Sequence, residues 1–244
     1  MATRDDSKGK LAETKTGGTV PVSGSAEVEA FLAAARSMPP ARPADGRGRL
    51  SFALDATGSR QPTWTLACDI QADMFASAAA HGGLDMQIVY YRGQDECRAS
   101  PFVRDAATLG GLMRRISCMG GLTQINRILG HLGKEAERSG LRAAVFVGDA
   151  VEEDPAVLRE AAGQLALRGV KLFMFQEGYD ARVEDVFRGL AQVTGGAWCR
   201  FDPSAPGELR QLLAAVAAYA AGGQMALTSR RDAGARRLIA AMGR

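Results

Sequence analysis

Five oxygen-bearing side chains, set in three separated short segments, are the residues of this sequence best suited to chemistry. Asp55, Thr57 and Ser59 lie in the run Asp55-Ala-Thr57-Gly-Ser59, Thr123 follows Gly120-Gly121-Leu122, and Asp149 follows Gly148. All are hard donors, with neither His nor Cys among them, which favours magnesium, manganese or calcium over zinc or copper. Two carboxylates formally balance a divalent ion. Hydroxyls are weak neutral donors, so an ion held this way stays electrophilic and short of a complete shell. An outside carboxylate can fill the open position.

Short apolar segments bounded by Gly, Pro or charge alternate with amphipathic ones along the chain, and these must position the five residues. Strands are expected at residues 49–55, 85–91, 143–149, 170–176 and 197–201, with a short antiparallel edge strand near 97–102. Helices are expected at 63–80, 105–116, 124–139, 154–168, 180–194 and 206–221, from apolar residues three and four apart such as Val157, Leu158, Ala161 and Leu165. Strands buried on both faces and alternating with such helices specify an α/β fold: a doubly wound, mainly parallel sheet with helices on both faces. In such a sheet the ligand crevice lies beyond the carboxyl ends of the strands. Asp55 and Asp149 end two strands and Thr123 precedes a helix, so all three segments are expected to reach that crevice.

The chain has 244 residues, 46% hydrophobic and 23% charged, which excludes a wholly disordered or collagen-like protein. Residues 1–48 read as a flexible arm with a short helix and a Pro-rich linker, residues 49–221 as the folded body, and residues 222–244 as a basic, solvated tail. The net charge is +3, and the tail alone carries five arginines against Asp232. A body so nearly neutral is not expected to bind nucleic acid, which requires positive charge gathered on the folded surface. No stretch approaches the roughly 18 uninterrupted apolar residues of a membrane span, and no apolar run follows the polar first residues. No membrane association and a cytoplasmic location are therefore expected. Cys68, Cys97, Cys118 and Cys199 show no zinc-ligand spacing and read as reduced thiols.

The pattern D-x-T-x-S after the first strand, G-G-x-T before a helix and G-D after a later strand resembles the von Willebrand factor A (VWA) domain and its metal-ion-dependent adhesion site. Thr57 stands where that site usually has serine. The resemblance covers roughly residues 49–221 and is nearest to short, soluble bacterial members. It implies that Thr57 and Ser59 coordinate the ion directly, that Thr123 contacts it directly or through water, and that Asp55 and Asp149 hold bound waters. It also implies Mg2+ as the first choice of ion, with Mn2+ or Ca2+ as substitutes. A protein partner would then supply a Glu or Asp, and an ATPase or chaperone is a candidate for that partner.

Other readings compete. Asp-Ala-Thr-Gly-Ser is not the adjacent Asp-Thr of an aspartic protease, and no second copy accompanies it. A metal-dependent phosphohydrolase using Asp55 is the enzymatic alternative, although Thr57 stands where its second Asp is needed. A metal-free scaffold is the third. His81 and His131 have no partner at catalytic spacing, Cys97 reads as an edge-strand residue, Glu152, Glu153 and Asp154 as helix-capping acids, and Glu177 as a solvated one. The expected role is therefore a binding module and not an enzyme.

Overall fold

The computed structural model describes residues 47–65, 68, 84–201 and 206–243. Six strands form one sheet in the order β3-β2-β1-β4-β5-β6: β1 (Gly48–Asp55), β2 (Leu84–Arg92), β3 (Glu96–Ala99), β4 (Ala143–Gly148), β5 (Lys171–Glu177) and β6 (Ala197–Phe201). All neighbours are parallel except β2 and β3, which pair antiparallel across a turn at residues 93–95. The helices are α1 (Ala106–Met113), α2 (Ile125–Ser139), α3 (Pro155–Leu167), α4 (Ala181–Thr194), α5 (Pro206–Ser229) and α6 (Ala233–Met242).

Side chains that alternate along each strand build two cores. Leu50, Phe52, Leu54, Val145, Val147, Phe173 and Phe175 join α1, α5 and α6 on one face. Ala53, Ala144, Phe146, Leu172 and Met174 join α2, α3 and α4 on the other. This two-residue period inside continuous apolar runs is the signature of strands covered on both sides. Helix starts are fixed locally: Asp105, Asp154, Asp180 and Asp232 each accept backbone N–H bonds at the first turn of α1, α3, α4 and α6. Asp154, expected as a capping acid, therefore acts as such.

Three differences from the sequence reading have physical causes. β3 ends at Ala99, and Val103 pairs with Met86 only through an isolated bridge, because Pro101 lacks the N–H that a continuing ladder needs. Beyond Ala221 the chain is no solvated tail. α5 continues through a break at Gly223, and α6 packs against β6 and α5 with Leu238 and Ala235 fully buried. The stretch Arg210–Ser229 is long and apolar enough to cross a membrane, but its run from Leu212 to Ala220 is buried in the core. The expected arm, apart from its last residues, and most of the expected helix at 63–80 lie outside the described residues.

Candidate metal centre

Asp55 is the last residue of β1 and is wholly buried. Its Oδ1 accepts the Thr57 backbone N–H at 2.8 Å, which turns the chain sharply off the strand. The Thr57 and Ser59 hydroxyls then face each other at 3.1 Å, Thr57 buried and Ser59 exposed. β4 ends beside β1, and its last residue must be small: a Cβ on Gly148 would fall 2.8 Å from the Phe146 ring and 3.5 Å from the Asp55 Cβ. Asp149 therefore starts its loop against Asp55. Asp55 Oδ2 and Asp149 Oδ1 are both buried and, among the described residues, both without a hydrogen-bond partner. Burial raises the Asp55 pKa; contacts from Thr57 and Tyr91 oppose this, and the neighbouring Asp149 charge adds to it. The Tyr91 phenol is pushed well above its ordinary range by burial and by Asp55.

The third segment is laced to the other two. Met119 donates its N–H to the Ala56 carbonyl at 3.0 Å and accepts from Gly93 at 3.4 Å. A Cβ on Gly58 would fall 3.4 Å from the Gly120 Cα, and Gly121 sits so close to Gly93 that a Cβ would meet its carbonyl oxygen at 1.9 Å. Thr123 thus arrives beside the Asp149 loop, where its hydroxyl accepts the Glu152 N–H at 3.0 Å and donates to Glu153 Oε2 at 2.6 Å. Glu152 Oε2 in turn accepts the Thr123 N–H at 2.7 Å, and Glu153 Oε1 accepts that of Asn126. Glu153 therefore caps α2, a helix earlier in the chain, while α3 is capped by Asp154. The Thr123 hydroxyl is engaged by this loop.

Two participants have roles other than those their sequence context suggests. Arg60, in the 3-10 segment Gly58–Thr63, is among the largest fully buried side chains of the described residues. Its guanidinium pairs with Glu177, the last residue of β5, which also accepts the Thr63 hydroxyl at 3.1 Å. Glu177 is thus an internal ion-pair partner, not a solvated acid. Burial lowers the Arg60 pKa, and the charges of Asp149 and Asp55 offset this only in part. The arginine directly follows the D-x-T-x-S run, but a charged residue after a turn ordinarily reads as solvated.

No family model matches the sequence, and no curated protein does. Solved structures do share the fold. A von Willebrand factor type A protein from Catenulispora acidiphila superposes with a TM-score of 0.58 at 19% identity, over 70% of this chain and 43% of that one. The SpRpn10 VWA domain gives 0.55 at 10% identity, over 64% of this chain and 89% of that one. The chain has a von Willebrand factor A fold. Proximal thread matrix protein 1 from the mussel byssus, with its MIDAS motif occupied by zinc, superposes with a TM-score of 0.55 at 14% identity, over 69% of this chain and 45% of that one. At these identities the likeness is one of architecture, so the fit of this chain to a metal rests on its own residues. Two buried, unpartnered carboxylate oxygens beside a pair of hydroxyls suit a hard divalent cation. Asp55, Asp149, Thr57 and Ser59 would hold it.

Proposed function

We propose that the chain is a protein-interaction module in which a divalent cation, Mg2+ by preference, captures a Glu or Asp of a partner protein in an intracellular assembly or regulatory role. The observation that carries this reading is the pair of orphaned oxygens, Asp55 Oδ2 and Asp149 Oδ1, buried at the carboxyl edge of the sheet. An unpaired buried acceptor costs about 1–3 kcal/mol and more when charged; a cation removes that cost and leaves coordination positions open. Thr57 and Ser59 are the neutral ligands. Thr123, held by Glu152 and Glu153, shapes the loop and supports the ion from its edge. The VWA fold supports an adhesive reading over a catalytic one, and an ATPase or chaperone is the partner class to try first.

Titration calorimetry with MgCl2 tests the reading directly. Wild type is expected to bind, and Asp55→Ala and Asp149→Ala to lose binding; equal binding by all three would remove its basis. Metal at a hundred times its dissociation constant should stabilise wild type by about 2.7 kcal/mol in urea unfolding. Chelator should release from wild type the same partner proteins that Asp55→Ala fails to capture.

A further inference from the structure

Arg60 is anchored just after β1, where its N–H bonds the Thr57 carbonyl at 3.2 Å. Its ion-pair partner Glu177 ends β5. These strands are not neighbours: β4 lies between them, so β1 and β5 are roughly 10 Å apart at ordinary strand spacing. The 3-10 segment Gly58–Thr63 carries the chain from β1 past the end of β4, where Gly148 gives way to Asp149, so that Arg60 and the short Thr63 side chain both reach Glu177. The buried Arg60 guanidinium lies near enough to Asp55 and Asp149 for both charges to act on it.

A purely structural buried arginine would have its donors saturated. Here, beyond the ion pair with Glu177, none of the guanidinium nitrogens completes a hydrogen bond among the described residues. One guanidinium among the carboxylates of Asp55, Asp149 and Glu177 leaves two negative charges uncompensated, the charge of one divalent ion. The buried guanidinium is also a poor candidate for discharge, since arginine stays protonated in proteins.

We propose that Arg60 is the resident cation of this site, tethered to Glu177 past the end of β4, so that a divalent ion must share Asp55 and Asp149 with it and the metal concentration at which the module becomes adhesive is set by that competition. The proposal rests on the metal-binding reading above and deepens it. Without metal, the guanidinium keeps the carboxylates from repelling one another and the fold intact. With metal, Glu177 holds the guanidinium back from the ion. Arg60 is in this sense a positioning residue, acting on the ion through the carboxylates it shares.

The test is calorimetry and thermal melting with MgCl2 alone, on wild type, Glu177→Gln and the double variant Arg60→Met/Glu177→Gln. Loss of Glu177 frees the guanidinium to lie on the aspartates, so Glu177→Gln is expected to bind Mg2+ several-fold more weakly. The double variant removes the competitor without changing net charge. It should bind at least tenfold more tightly than wild type, melt lower in chelator and gain more in melting temperature from Mg2+. Arg60→Lys/Glu177→Gln, which restores the positive charge, should bind Mg2+ less tightly than the double variant. Wild-type affinity in both Glu177→Gln and the double variant would overturn the proposal while leaving the metal site standing. Should the double variant fail to fold, unchanged or tighter binding by Glu177→Gln overturns it equally. Absence of Mg2+ binding in every protein, wild type included, overturns the metal reading and this one with it.

Discussion

Thr123 joins the loop after β4 through its backbone N–H and both roles of its hydroxyl, so its side chain is worth more than its size suggests. Thr123→Val keeps the shape but leaves the Glu152 N–H and a Glu153 oxygen without this partner. Urea unfolding should show a loss of about 1–3 kcal/mol, with Thr123→Ser near wild type. Cys118 sits in the same neighbourhood and makes a separate prediction. Burial pushes its thiol up to about 11, outweighing the lowering effect of the Arg60 charge. A raised thiol pKa means the neutral form dominates below it, so at pH 8 only about one molecule in a thousand is thiolate. Alkylation of Cys118 by iodoacetamide, followed by peptide mass spectrometry, should be slow at pH 8 and rise about tenfold per pH unit toward that value. Labelling at the rate of an unhindered thiol would contradict this environment.

The loop from α1 to α2 is the element that turns three separate segments into one site, and it works only because its backbone can touch the end of β2. A methyl group at Gly121 has no space against the Gly93 carbonyl. Gly121→Ala should displace the loop, destabilise by about 1–3 kcal/mol and reduce Mg2+ affinity in calorimetry, although it removes no ligand. Gly130, in the exposed middle of α2, has open space where a Cβ would go. Gly130→Ala should therefore stabilise by about 0.5–1 kcal/mol through helix propensity alone, and leave metal binding unchanged. These opposite outcomes separate glycines required by packing from glycines that are merely present. α1, α3 and α4 start where expected because each is capped by an aspartate adjacent in sequence, whereas α5 runs past its expected end and β3 ended early at a proline-bearing turn whose pairing depends on β2.

At the scale of the whole molecule, α6 closes the face that β6 would otherwise expose. Leu238 is fully buried there, so Leu238→Ala should cost about 2–5 kcal/mol in urea unfolding; a solvated tail would lose nothing. The basic charge of this end reads from the sequence as a free appendage because arginines 230, 231, 236 and 237 dominate it. Arg230 is in fact paired with Asp232, and the cap that Asp232 forms with the Ala235 N–H starts α6. The apolar group Leu238, Ile239 and Met242 is visible in the sequence, but the surface that it packs on lies on other elements.

Local periodicity determined the alternation of strands and helices, and with it the doubly wound sheet and the carboxyl edge at which Asp55, Asp149 and Thr123 should meet. Those features follow from the sequence alone because apolar spacing and turn chemistry act over a few residues. Only the tertiary structure decided that Arg60 meets Glu177 past the end of β4, that Glu152 and Glu153 take hold of Thr123, and that the last helix packs. Each of these depends on which strand lies beside which and where each one ends. A charged side chain buried by a distant partner leaves no pattern in the residues around it.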